Sequence, residues 1–123
     1  MGGIINLYMT ENNLTLLYHR AIDYIREHYM EADLNRIRIA EALNCSTRSL
    51  SRAFEGGGVK LHAVIRMLRL QKSRELLRKK PNLTIKQIAD RLHFSSARHF
   101  ATRYKELFRL SPHEERKTIR RRK

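Results

Sequence analysis

Residues 88–108 read IADRLHFSSARHFATRYKELF, and residues 39–54 read IAEALNCSTRSLSRAF. The two stretches are one pattern written twice. Leu34, Ile39, Ala40, Leu43, Cys45 and Ser46 return 49 positions later as Leu83, Ile88, Ala89, Leu92, Phe94 and Ser95. Beyond the turn the offset becomes 50: Leu50 matches Phe100 and Phe54 matches Tyr104, so one residue has been inserted near Ser95-Ser96. Each choice has a physical reason. An alanine in mid-helix admits a close crossing, and a leucine three positions on seals the joint. An apolar residue fills the corner. A small polar cap then starts a second helix, held down by an apolar pair one turn apart.

That is the packing logic of a helix-turn-helix. One copy is a weak signal, because many helical hairpins share it. Two copies with a long helix between them are much more specific. Elsewhere apolar residues recur at helical spacing, and alternating strand patterns are absent. Leu14, Leu17, Tyr18, Ala21, Ile22, Ile25 and Tyr29 form one stripe, with Asn12 or Asn13 as the cap of that first helix. Asn35 caps a second helix that turns Ile37, Ala40 and Leu43 inward. Ser46 caps a third, with Leu50, Ala53 and Phe54 inward, and Gly56-Gly57-Gly58 closes it. A linking helix runs from about Leu61 to Lys79 and stops at Pro81. Thr84 and Gln87 make a capping box for the fifth helix, and Ser95 or Ser96 caps the sixth. Ser111-Pro112-His113-Glu114 is a second capping box, opening a last helix.

The expected fold is all-α: about seven helices, in two helix-turn-helix subdomains joined by a long linking helix. The expected boundaries are a tail or linker at 1–11, the first subdomain at 12–59, the linking helix at 60–80, the second subdomain at 81–116 and a basic tail at 117–123.

The 123 residues carry 26 basic and 12 acidic side chains, a formal charge of +14. Such an excess favours a polyanion, with nucleic acid ahead of an anionic membrane. Hydrophobic content of 41% is enough for a packed core. The single cysteine, Cys45, excludes an internal disulfide and fits a reducing compartment. No apolar run reaches the roughly 18 residues of a membrane span. The start MGGIINLYMT lacks the layout of a secretory signal, and Asn6 stands where a myristoylation motif has Ser or Thr. His19, His28, His62, His93, His99 and His113 are scattered without metal-ligand spacing. No nucleophile triad, phosphate loop or paired carboxylate can be argued, so neither catalysis nor a metal or cofactor is expected. Cys45 matches Phe94 and reads as core; Met30 and Met67 read as packing.

LHAVIRMLRLQKSRELL in the linking helix, TIKQIADRLHF after it and HFATRYKELFRLSP at the end together resemble the DNA-binding domain of the AraC/XylS family of bacterial transcription regulators. The resemblance covers roughly Asn12 to Arg116. Phe100, Tyr104 and Ser111-Pro112 carry its most telling part. It implies two helix-turn-helix units on a long helix, each offering one helix to duplex DNA. The family usually has Gly where His93 and Arg109 stand, which implies either positive-φ side chains there or turns rebuilt locally. The loop at Gly56-Gly57-Gly58 is about one residue short of the family's, and Arg103 replaces a small residue.

The expected reading helices are 47–55 and 96–105. With Leu50, Ala53 and Phe54 inward, Arg48, Ser51, Arg52 and Glu55 face out. Arg48 and Arg52, one turn apart, can share a groove, and a bidentate Arg–guanine pair discriminates by about 1–3 kcal/mol. The resemblance implies base contacts at Arg48, Ser51 and Arg52. On the sixth helix Ala97, Arg98, Ala101 and Thr102 face out. The alanines suit thymine methyl groups, and Arg98 and Thr102 suit hydrogen bonds. The candidates for phosphate are Arg36, Arg38, Thr84, Lys86, Ser95, Ser96, Arg103 and Lys105, some as cations and some as helix starts. If the two heads lie about one DNA turn, ~34 Å, apart, one chain can read successive major grooves.

The expected function is sequence-specific binding of double-stranded DNA in transcription regulation, in the bacterial cytoplasm and at the nucleoid, with no membrane partner. The alternative is an interaction module in which one unit reads DNA and the other contacts RNA polymerase or a partner protein. The family usually joins this domain to an effector or dimerisation domain, so the chain reads either as a lone-domain member or, with a slight preference, as a fragment of a longer regulator.

Overall fold

The computed structural model describes residues 11–121. Seven α-helices and no strand occur among them, so the chain is all-α. They are α1 (Glu11–His28), α2 (Arg36–Ala42), α3 (Thr47–Gly57), α4 (Leu61–Lys79), α5 (Ile85–Arg91), α6 (Ala97–Phe108) and α7 (Pro112–Arg121). The chain divides into two compact units, Met1–Arg66 and Met67–Lys123, and the division falls inside α4.

In the first unit α1 packs on α3 and α2. Leu17, Ala21 and Ile25 are buried along α1, against a set that includes Ile39, Ala40, Leu43, Leu50, Ala53 and Phe54. The Tyr18 ring stacks on Phe54 with centroids 5.0 Å apart. In the second unit Leu70, Leu77, Ile88, Ala89, Leu92, Phe100 and Tyr104 form one buried cluster. The first half of α4 buries Leu61, Val64 and Ile65; the second buries Leu70, Ser73 and Leu77. Leaving water is the main stabilising contribution of these side chains, about 1.5–3 kcal/mol for each large one.

The repeat is repeated in hydrogen bonds. Asn44 N–H donates to Glu41 O and Cys45 N–H to Ala40 O; His93 N–H donates to Asp90 O and Phe94 N–H to Ala89 O. This is the same helix-ending motif twice, with the residue after the cap in the left-handed region. Asn44 (φ 54°) and His93 (φ 64°) occupy that position. Ser46 caps α3 by accepting from Ser49 N–H, whereas Ser96, not Ser95, caps α6 by accepting from His99 N–H. The inserted residue is therefore Ser95. The Thr84–Gln87 capping box is complete in both directions.

Met30 and Met67, read as packing, are each 40% exposed, and three further expectations need correction. Asn12 and Asn13 do not cap α1, because the chain is already helical at Glu11. Ile37 does not point inward and is 60% exposed. The buried stripe of the seven-residue α2 passes through Ile39 and Ala40, which leaves Ile37 on the far face. Cys45 is half-buried, not a full core residue, although burial still pushes its thiol pKa up.

Candidate nucleic-acid interface

The two helices that follow the paired turns each bury one stripe and leave the other free. On α3, Leu50, Ala53 and Phe54 are buried while Arg48 and Arg52 are exposed and Ser51 is half-buried. On α6, Phe100 and Tyr104 are buried, Arg98 and Thr102 are exposed, and Ala97 and Ala101 are half-buried. Among the described ion pairs, none takes Arg48, Arg52 or Arg98. An exposed guanidinium without a carboxylate partner keeps its planar fork of donors free for a ligand. The Thr102 hydroxyl donates to Arg98 O at 3.0 Å, so in this state it is turned to its own helix.

The phosphate candidates separate into groups. Arg36, Lys86 and Lys105 are exposed, and no described ion pair takes them. Arg38 is held inside the first unit, paired with Glu31 at 2.9 Å and Asp33 at 2.5 Å. Hydrogen bonds from His28 and then Arg38 hold the Glu31 carboxyl below the usual range, and the Glu31 bond pushes Arg38 up. Arg103 lies between His99 Nε2 (3.5 Å) and Glu106 Oε2 (3.3 Å). Ser95 Oγ is 3.1 Å from His99 Nδ1. Thr84 and Ser96 use their hydroxyls as helix caps.

Two features were missed in the sequence. The first is a cleft of about 590 Å³ whose lining includes Arg36, Ser51, Glu55, Lys60 and His62. Lys60 immediately precedes α4 and His62 lies in its first turn, outside both repeats, so no internal comparison singled them out. The second is a buried carboxylate. The side chain of Glu115, on α7, is 5% exposed and accepts from Arg74 Nε at 2.5 Å and Tyr104 Oη at 3.2 Å, with Arg78 at 3.5 Å. Arg74 also lies over the Phe108 ring, 4.8 Å from its centroid. These contacts tie α4, α6 and α7 together. Burial, then the neighbouring Glu115 carboxylate, hold the Tyr104 phenol protonated well above its ordinary range.

A family model described as a helix-turn-helix domain matches residues 39–118, from α2 into α7. A solved AraC-type DNA-binding domain from Chromobacterium violaceum is 30% identical, with a TM-score of 0.75 over 84% of this chain and 91% of that one. The C-terminal domain of AraT, a response regulator from Geobacillus stearothermophilus, is 32% identical with a TM-score of 0.73, over 83% and 84% of the two chains. The probable thc operon regulatory protein of Rhodococcus erythropolis is 31% identical over 116 residues, which are 92% of this chain and 35% of that protein. The chain belongs to the AraC-type helix-turn-helix family of DNA-binding transcription regulators, which are not enzymes. It spans about a third of the length of the curated relatives it matches. Among the described residues no helix is long and apolar enough to cross a membrane.

Proposed function

We propose that the chain reads duplex DNA sequence-specifically through two helices, α3 in the first unit and α6 in the second, as the DNA-binding part of a bacterial transcription regulator. The observation that carries this reading is the pair of matched helix-turn-helix units. Each exposes unpaired arginines on the helix after the turn: Arg48 and Arg52 on one, Arg98 on the other. Arg48, Ser51 and Arg52 supply base contacts in the first groove, and Ala97, Arg98, Ala101 and Thr102 in the second. Arg36, Lys86, Lys105 and the helix starts at Thr84, Ser95 and Ser96 orient the units on phosphate. Arg38 and Arg103 contribute less, because carboxylates of the protein already neutralise them. Its relatives, among them an operon regulatory protein and an AraC-type DNA-binding domain, support the same class. A remaining domain for an effector or for dimerisation fits the fraction of the relatives that this chain spans.

The test is selection of bound duplexes from a random pool, followed by Arg52→Ala and Arg98→Ala on the selected site. Each variant should lose about 1–3 kcal/mol on that site and little on random DNA. Specific affinity unchanged by Arg98→Ala supports the alternative, in which α6 contacts RNA polymerase or another protein. Its half-buried alanines and the neighbouring Leu107, 41% exposed, are the features that favour such a contact. Equal loss on selected and random duplexes, for both variants, refutes base reading.

A further inference from the structure

We propose that the cleft beside α3 is a phosphate site for one strand of the duplex, with Arg36, Lys60 and His62 as its donors. The proposal rests on the DNA-reading function above and adds two residues that neither repeat contains. The cleft holds about 590 Å³ and lies wholly within the first unit. Arg36 reaches it from the start of α2, Lys60 from the residue before α4 and His62 from the first turn of α4. All three side chains are exposed, and no described ion pair takes any of them. Two permanent cations and an imidazole therefore meet at one opening with a single carboxylate, Glu55, to balance them.

What places a nucleic-acid backbone there is the wall they share with the reading helix. Ser51 and Glu55 line the cleft and also lie on the outward face of α3. A helix seated in a major groove has a phosphate strand along its flank, at the height of such a wall. The exposure of the donors also matters. An extended strand needs cations standing in solvent, whereas a small organic acid is held by buried ones. Val59, 42% exposed at the rim, offers apolar contact to a deoxyribose. Glu55 works against the site, because its charge repels phosphate.

That opposition gives the test two signs. The full chain is titrated with its selected duplex at several salt concentrations. Each phosphate neutralised adds about 0.9 to the slope of log affinity against log salt. The Lys60→Ala/His62→Ala variant should flatten the slope by about one unit. Glu55→Gln should tighten binding. Arg20→Ala removes one charge from α1 outside the cleft and should change the slope by less. All these residues are exposed, and circular dichroism checks that each variant folds. If the wild type binds its selected duplex and the cleft variants keep its slope, the phosphate site is wrong and DNA reading stands. Absence of duplex binding by the wild type refutes the underlying function instead. A flattening by Arg20→Ala as large as by the cleft variant also overturns the proposal, since net charge alone then suffices. Sodium benzoate supplies the last arm: saturable shifts at Ser51 and Lys60 that persist with duplex bound would mark a small-acid pocket and overturn it.

Discussion

Replacing Glu115 by alanine tests how α6, the proposed second reading helix, is held. The wild-type carboxylate is buried and accepts from Arg74 and Tyr104 together, with Arg78 nearby. Removing one partner of a buried ion pair costs about 3–5 kcal/mol. Part of that is recovered here, because the Arg74 and Arg78 side chains are 35% and 51% exposed and can be rehydrated. Tyr104 has no such route: it is fully buried, and its hydroxyl loses its acceptor, at about 1–3 kcal/mol. A net loss of about 3 kcal/mol is expected for Glu115→Ala. Glu115→Gln keeps an oxygen acceptor and should lose about 1 kcal/mol. Urea unfolding followed by circular dichroism measures both, and the near-ultraviolet signal of Tyr104 and its ring neighbours reports on the second unit. Because Tyr104 anchors α6, Glu115→Ala should also weaken the half-site proposed for Arg98 more than the one proposed for Arg52. A loss below about 0.5 kcal/mol, with both half-sites equally bound, refutes the idea that this carboxylate organises the unit.

Arg109 ends α6 at φ 68°, a conformation that costs an L-residue about 1–2 kcal/mol, so Arg109→Gly should raise stability by about 0.5–1 kcal/mol after glycine's extra entropy. An unchanged or lower urea midpoint would contradict that. Gly57→Ala should destabilise the first unit by about 1–3 kcal/mol, because the new Cβ would come within 2.7 Å of the Tyr18 ring. A melting temperature equal to wild type would show that Tyr18 moves aside freely. Tyr104 gives an alkaline signature. Its folded pKa is raised, so above about pH 10 the unfolded phenol ionises first and stability falls as pH climbs. Tyr104→Phe should remove that part of the decline, measured by urea midpoints between about pH 9 and pH 11; identical slopes for the two proteins would argue against it.

What the sequence made visible depends on distance along the chain. The caps at Asn35, Ser46 and Thr84 involve a side chain and an amide three residues away, and all three were legible. The buried pairs Leu50–Phe54 and Phe100–Tyr104 sit one turn apart and were legible for the same reason. For His93 and Arg109 the family resemblance offered positive φ or a rebuilt turn where glycine is usual, and both residues take positive φ. Ile37 was misjudged because a seven-residue helix has room for only one buried stripe, and hydrophobicity alone does not say which residues own it. The candidate site was legible where the signal is exposure opposite a buried stripe, as at Arg48, Arg52 and Arg98. It was illegible where charges meet across the fold. Arg38 reads as a free cation until Glu31, seven residues back, is seen to hold it. Nothing in the local sequence singles out Glu115, whose partner Arg74 lies 41 residues back. A count of basic residues therefore overstates the surface open to DNA, and the arginines left unpaired on α3 and α6 are a better guide to it than the net charge.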